Sequence, residues 1–600
     1  MVPKIAIIDS GVSGEQISNC FKVDVVGDIH DSIDHINHGS VIFNIIKNYS
    51  KNVRVRCVKI TDDIEIREEA LCAALRLLLR DSDVDIVNIS MGVVIGEKIG
   101  EIAELCSQLR KRGIIIVSAF DNDGAMSYPA ALPGILGVDV SPRCKLINQY
   151  EYVESEIINI RAFSGVLNTK VDNKVLSVAG TSFACAIMTA KVADLYGKGV
   201  VDFEEILEKL KKDASYVVQG NYYEAPSEMW KISRAIVFPF NKEMNALLAN
   251  QDLLNFDIMG VYDPSQLGNV GKRVSDILSG SLKKDFIINS ISNMDWKLDF
   301  DTVILGHTRE ISETLNYNFK EYIVQQCIKY NKALYSFDNI DAKDGLKYYE
   351  PRILDVNVPS NRFGKLYQVH CPVLGVFGTS SRQGKFTLQL KLRSCFLNAG
   401  YHVAQIGTEP SAPLFGMDAV YPMGYDGITP KNARDAITVI NDMLNKCVTS
   451  ETDIVLVGAQ SGSNVYSCQN ISLFHLETHN FLLAVQPDAI VLCVNSYDDD
   501  EYIYRTIMTL ENTINTYVIA LVISPISFVN IDSGLSRKTS MVEKIVLENF
   551  RIHLLETFHK EVFILDFEDD GSEVFEYCTK ILSEGYKNSD LVCNCAVVDY

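Results

Sequence analysis

Short apolar runs rich in Val and Ile alternate along this chain with longer stretches in which apolar residues recur every three or four positions. The runs lie at 4–8, 53–60, 85–90, 113–118, 235–238, 302–305, 373–377, 453–457, 489–494 and 517–524. A strand solvated on one face alternates apolar and polar residues, whereas a strand buried on both faces reads as an unbroken apolar run. The runs therefore predict strands of parallel sheets covered by helices, and the helical spacing places helices at 68–80, 98–112 and 386–399. An α/β fold in layers is expected.

Two seams interrupt the series. A polar, aromatic stretch at 213–233 carries Gly220, Asn221 and Pro226, and an irregular stretch at 338–370 carries Gly345, Pro351, Pro359, Asn361 and Gly364. Punctuation by Gly and Pro marks loops, so the chain divides into segments 1–230, 231–367 and 368–600. At roughly 150 residues per domain, 600 residues imply about four domains and certainly more than one core.

Composition narrows the function. With 56 Lys and Arg against 77 Asp and Glu, the net charge of −21 argues against nucleic acid or an anionic membrane as the main partner. With 47% apolar residues and no long polar tract, the chain can bury enough surface to fold. Its 15 cysteines are odd in number and scattered singly, which reads as reduced intracellular thiols. Cys593 and Cys595 form the one close pair, without a second pair or a nearby His to make a metal site. Met1-Val2-Pro3-Lys4 leads straight into the first apolar run with no signal-peptide shape, and no segment offers ~18 uninterrupted apolar residues. A cytoplasmic protein is expected.

The first segment carries a coherent chemistry. Asp9 ends the first strand in Ile7-Ile8-Asp9-Ser10-Gly11, His38 opens a helical run in His38-Gly39-Ser40, and Ser182 opens another in Gly180-Thr181-Ser182-Phe183-Ala184. Acyl transfer needs a hydroxyl nucleophile, a general base and a carboxylate that holds the imidazole tautomer. Asp9, His38 and Ser182 supply these in that chain order. An oxyanion also needs donors, and Asn122 of Asn122-Asp123-Gly124, just beyond the strand at 113–118, is placed to serve with the Ser182 backbone N–H.

These blocks, together with Tyr128-Pro129-Ala130 and Asn88-Ile89-Ser90-Met91-Gly92, resemble the subtilisin-like serine peptidases over about residues 1–200. The resemblance implies that Ser90, Met91 and Gly92 line the substrate, pairing with an extended peptide beside the pocket. The sequence departs from the family at Ala186, where Pro is usual, at Val41, where His is common, and at Phe120-Asp121, where small residues precede the oxyanion Asn. Phe120 is expected to narrow the pocket. The segment is short for the family, so no calcium or other metal is expected. The fold begins at residue 4 with no room for an inhibitory propeptide, so restraint is expected from narrow specificity, a partner or the downstream domains.

The third segment carries a glycine-rich loop after the run at 373–377: Gly378-Thr379-Ser380-Ser381-Arg382-Gln383-Gly384-Lys385-Phe386-Thr387. Between strand and helix, such a loop holds phosphates with backbone N–H groups and a lysine. Gly378, Thr379, Gly384, Lys385 and Thr387 are the candidate contacts. The spacing is one residue longer than the standard P-loop, and Phe386 stands where a Mg²⁺-ligating hydroxyl is usual. The pattern resembles the dethiobiotin-synthetase-like P-loop proteins and a related family that includes amino-acid N-acetyltransferases, with Gly407-Thr408-Glu409-Pro410 and Val457-Gly458-Ala459-Gln460-Ser461-Gly462 as further ligand loops. Val457 stands where an acidic residue is expected, which argues against hydrolysis with ordinary Mg²⁺ geometry. The cofactor expected here is ATP or GTP with Mg²⁺, and proteolysis needs none. Asn495 and Asp498 follow a strand, but Asp498-Asp499-Asp500-Glu501 reads as a solvated acidic turn.

The middle segment reads as a small Rossmann-like domain, with Thr302-Val303-Ile304-Leu305-Gly306-His307 ending at a crevice and Gly268-Asn269-Val270-Gly271-Lys272 as a loop. Residues 231–600 resemble, in overall pattern, proteins associated with bacteriocin-type peptide maturation systems. The expectation is a subtilisin-like endopeptidase, 1–230, fused to a Rossmann-like domain, 231–367, and a P-loop NTPase-like domain, 368–600. Its substrate is expected to be a peptide or protein, such as a modified precursor peptide losing its leader, and an oligomer is compatible with the sequence. Two alternatives are a nucleotide-gated protease effector in stress or phage response and a nucleotide- or acyl-dependent transferase with secondary proteolysis.

Overall fold

Lys4–Asp9 is buried almost end to end because it lies inside a sheet covered on both faces. This sheet has nine strands, in the order Tyr216–Val218, Tyr150–Val153, Ile160–Phe163, Leu136–Ser141, Ile115–Ala119, Ile86–Ile89, Lys4–Asp9, Arg54–Lys59 and Cys20–Val25. Its pairs are parallel except Tyr150–Val153 against Ile160–Phe163. The computed structural model describes residues 2–584 apart from 28, 64–65, 82, 123, 155–156, 173, 220–228, 279–281, 342–343, 352–363, 424–432, 466–475, 531–536, 567–568 and 570. Asp123, Gly220, Asn221, Pro226, Pro359, Asn361, Cys593 and Cys595 lie outside the described residues.

The two faces of this sheet carry separate cores. Helices His38–Tyr49 and Thr181–Gly197 pack on one face through Val41, Ile42, Ile45, Ala184, Met188 and Val192. Helices Glu68–Asp81 and Ile99–Lys111 cover the other through Leu71, Leu75, Leu78, Ile102 and Leu109. The histidine and serine helices therefore share one face, and the strand that ends in Asp9 runs beneath them. At the far edge Arg56 is fully buried, which a guanidinium tolerates only when paired. It bonds Asp24 at 2.8 Å and Asp81 at 2.7 Å and also pairs with Asp83.

By compactness the chain forms two units, Met1–Tyr223 with Asn357–His370, and Glu224–Val356 with Cys371–Tyr600. Besides the antiparallel pair Ile526–Asn530 and Arg537–Met541, the second contains two parallel sheets. One runs Ile288–Ser290, Asp257–Asp263, Arg234–Phe238, Thr302–Leu305, Ala333–Ser336 and Tyr348–Tyr349. The other runs Ala419–Val420, Val403–Gly407, Ile454–Gly458, Val373–Gly378, Ala489–Asn495, Tyr517–Ser524 and Glu561–Ile564. In each, the first strand in sequence lies inside the sheet, and strand order reverses beside it, where ligand crevices of open α/β sheets form. A shared core joins the two sheets of this unit, with Phe386 and Leu390 packed among Phe240, Met244 and Leu247.

The described cysteines are free thiols. Among the described residues no helix is long and apolar enough to cross a membrane.

Candidate active site

Asp9 is fully buried at the carboxyl end of its strand, and its Oδ1 lies 2.7 Å from Nδ1 of His38. The same oxygen accepts the Ser10 backbone N–H at 2.8 Å, while Oδ2 is buried without a partner. His38 begins its helix directly after Asn37, whose φ of +65° and lack of a side-chain cap leave the first turn to be held from elsewhere. Asp34 does this: its Oδ2 accepts the backbone N–H of Ser40 at 2.7 Å and the Ser40 hydroxyl at 2.6 Å. Oδ1 of Asp34 accepts the Ser10 hydroxyl at 2.9 Å, so a second buried carboxylate stands behind the first. Gly39 is required by closeness, since a Cβ there would lie 2.2 Å from the Gly11 carbonyl oxygen.

Burial by itself pulls the His38 pKa down, but the Asp9 charge, the Asp9 hydrogen bond and the Asp34 charge more than offset it, leaving the imidazole above its ordinary value. The His38 ring lies 5.5 Å from the Phe183 ring, which neighbours Ser182 in sequence. Ser182 is the second residue of Thr181–Gly197, and the preceding Gly180 has φ +134°. A Cβ at Gly180 would also come within 2.9 Å of Asn122 Oδ1. That oxygen accepts the Thr181 backbone N–H at 2.9 Å and its hydroxyl at 3.0 Å. The Asn122 amide is thus docked on the turn that carries Ser182, with Nδ2 as its donor end. Ser90 lies under the same turn, its hydroxyl 3.2 Å from the Ser182 carbonyl oxygen and 2.9 Å from Asn88 Oδ1. Gly92 packs against Ser127, and its neighbour Val93 bridges Tyr128; nothing further distinguishes Met91.

Asp9, His38, Asn122, Ser182 and Ser90 are therefore gathered at one end of one sheet. An imidazole oriented by a buried carboxylate, at the same sheet end as a serine near a helix N-terminus with an amide docked on its turn, is a set suited to acyl transfer. Cys185 is no rival nucleophile, since complete burial pushes its thiol up to about 12. Phe120 does not narrow an open pocket as expected. It is 2% exposed and fills the core beneath the loop with Met126 and Tyr128.

In the second unit, Gly378 ends its strand and Lys385 begins the helix Lys385–Asn398, with Gly384 at φ +77° as an N-cap without a side-chain acceptor. Lys385 is 4% exposed and donates to the Ser380 carbonyl oxygen. Gln383 accepts the Ser380 N–H at 3.0 Å and donates to the Thr379 hydroxyl, which in turn donates to Asp498. Asp498 is half-buried rather than part of a solvated turn, and burial raises its carboxyl above the usual range against the pull of the Thr379 and Asn495 bonds. Thr387 lies 3.4 Å from Asn250 Nδ2. Phe386 packs on Phe415 in the core, so the position of the usual Mg²⁺ hydroxyl faces away from the loop. Gln460 reaches Glu409 at 2.8 Å, joining the two further loops. A lysine and an uncapped helix N-terminus fit phosphate oxygens; among the described residues the usual Mg²⁺ hydroxyl position is taken by the core residue Phe386.

Just past the strand Thr302–Leu305 stands His307, whose Nδ1 lies 3.0 Å from Asp338 Oδ1, beside a cavity of about 840 Å³ lined by Thr308, Arg309 and Lys320 among others. Asp263 ends the strand Asp257–Asp263, two places along the sheet, and is fully buried, and burial lifts its carboxyl to about 6. Gly268–Lys272 is a loop whose Asn269 donates to Asp263 at 2.9 Å. Among the described residues no group of three or more His, Cys, Asp and Glu is arranged to hold a metal ion.

The fold and sites define a mixed α/β protein with parallel sheets and a P-loop-type domain. Residues 362–524 match the family model described as Domain of unknown function (DUF1611_C) P-loop domain. A DUF1611 family protein from Anabaena variabilis is similar in structure at 12% identity and TM-score 0.42, covering 58% of this chain and 100% of its own. The nisin leader peptidase NisP from Lactococcus lactis is similar at 16% identity and TM-score 0.29, covering 36% of this chain and 85% of its own. The epidermin leader peptide processing serine protease EpiP from Staphylococcus aureus is similar at 16% identity and TM-score 0.31, covering 35% of this chain and 68% of its own. No curated protein matches the chain.

Proposed function

We propose that the unit containing Met1–Tyr223 is a serine endopeptidase. The observation that carries this reading is the 2.7 Å contact between buried Asp9 and His38 Nδ1, made at the end of the sheet where Asn122 docks on the Ser182 turn. Ser182 attacks the scissile carbonyl, and His38 takes its proton and returns it to the leaving amine. Asp9 fixes the tautomer and stabilises the imidazolium, while Asn122 Nδ2 and the Ser182 N–H receive the oxyanion. The substrate is a peptide, which we assign to the class of ribosomally made precursors that lose a leader, and the chain's charge of −21 favours a basic one. The P-loop-type domain binds the phosphates of ATP or GTP through Lys385 and the first N–H groups of its helix. When bound, such a nucleotide would supply phosphate charge for recognition, and proteolysis would not pass through it.

Cleavage of a precursor peptide by the full chain tests the reading, with Ser182→Ala and Lys385→Ala beside wild type, each with and without ATP or GTP. Ser182→Ala is expected to abolish cleavage and Lys385→Ala to retain it in the absence of nucleotide. Full cleavage by Ser182→Ala would overturn the assignment.

A further inference from the structure

We propose that Lys365, Leu366 and Tyr367, far downstream in sequence, complete the peptidase site, with Lys365 as a positioning residue for Asn122. The proposal rests on the peptidase reading. The segment 357–370 groups with Met1–Tyr223 by compactness. Lys365 Nζ donates to the carbonyl oxygen of Asp121, directly before Asn122, at 3.2 Å. It lies 3.5 Å from Asp139 Oδ1, and the two side chains are only 9% and 6% exposed. A buried ammonium holds its place when a carboxylate faces it, and Asp139 belongs to the strand Leu136–Ser141, next to the strand that leads into the Asn122 loop.

Two more contacts grip the same loop. The Leu366 carbonyl accepts the Met126 N–H at 3.0 Å, and Tyr367, 6% exposed, stacks on Tyr128 with ring centroids 6.1 Å apart. Tyr128 exchanges backbone hydrogen bonds with Val93 at 2.8 and 2.9 Å, beside the substrate-lining Ser90, Met91 and Gly92. This loop is thus held at Tyr128 by Val93 and at Asp121, Met126 and Tyr128 by the downstream segment, with Asn122 between the anchors. An oxyanion donor works only where its N–H meets the developing charge, so a small shift of the loop costs rate.

The test is a double-mutant cycle in the full chain with Lys365→Met, which keeps the apolar stem and removes the donor and charge. Arg161 stays 3.8 Å from Asp139, so that carboxylate keeps a cation. Lys365→Met is expected to lower kcat about tenfold with KM within about twofold, Lys365→Arg to restore most of it, and the loss to vanish in an Asn122→Ala background. Wild-type kcat in Lys365→Met, or the same loss on top of Asn122→Ala, overturns the proposal. If Lys365→Met does not fold, Tyr367→Leu enters the same cycle with the same expected outcomes. Fluorophosphonate labelling of wild type separates the two failures: no adduct at Ser182 sinks the peptidase reading itself, whereas an adduct with an additive cycle sinks only the role of Lys365.

Discussion

The Asp9 site and the glycine-rich loop both lie at the carboxyl ends of parallel strands, yet their polar groups are spent differently. Around Asp9 the groups point at one another across elements, from strand to histidine helix and from Asn122 loop to serine helix. Asp34 and Ser10 hold the arrangement from behind. In the glycine-rich loop, Gln383 accepts the Ser380 N–H and Lys385 donates to the Ser380 carbonyl inside the loop itself, while Thr379 and Ser380 are also tied to Asp498 and Asn495 outside it. The first set is already fixed by bonds between elements, as the proposed reaction requires, whereas the second would have to exchange present bonds for a ligand's oxygens. Preorganisation is what allows fixed donors to act on developing charge without further rearrangement.

The comparison is broken most severely at the nucleophile. Ser182→Ala is expected to lower kcat by about 10⁴-fold or more, and Asn122→Ala by about 10²–10³-fold, in steady-state cleavage. Lys385→Ala is expected to weaken ATP or GTP about 10–100-fold by calorimetry, as loss of a charge-assisted bond implies, with cleavage unchanged. A loss of cleavage there would make the two sites one machine.

A milder probe is pH. His38 accepts a proton only when neutral, and its pKa is raised, so kcat/KM is expected to rise with pH through a midpoint above the ordinary 6.5. Asp34→Asn removes one of the charges that raise it and is expected to move that midpoint down. The smallest effect concerns stability. Asp263 titrates near 3.8 when unfolded and about 6 when folded. Between those values the folded state holds a proton that the unfolded state has lost, so stability falls as pH rises through this window. Asp263→Asn is expected to flatten that dependence and to stabilise the protein at pH 7 by about 1–3 kcal/mol in denaturant unfolding.

Strands buried on both faces were legible from the chain: the runs at 302–305 and 517–524 coincide with Thr302–Leu305 and Tyr517–Ser524. The edge strand Cys20–Val25 escaped notice because it is half-exposed and carries Lys22 and Asp24. Asp9, His38, Asn122 and Ser182 stood out because each sits at the end of a regular element. Asp34 gave only the weak signal of a carboxylate four residues before a helix start. Asp498 hid in an acidic run, although its place three residues past Asn495 suits an acceptor for that residue's N–H, which it takes at 2.8 Å. Lys365 left no local trace, since its acceptor on Asp121 is 244 residues away in sequence.

The measurement that bears most directly on the central claim is the position of a fluorophosphonate adduct, read by peptide mass spectrometry on the full chain. The account predicts one modified serine, Ser182, with labelling that falls as pH drops and His38 becomes protonated. An adduct on another residue, or equal labelling of Ser182→Ala, would contradict it.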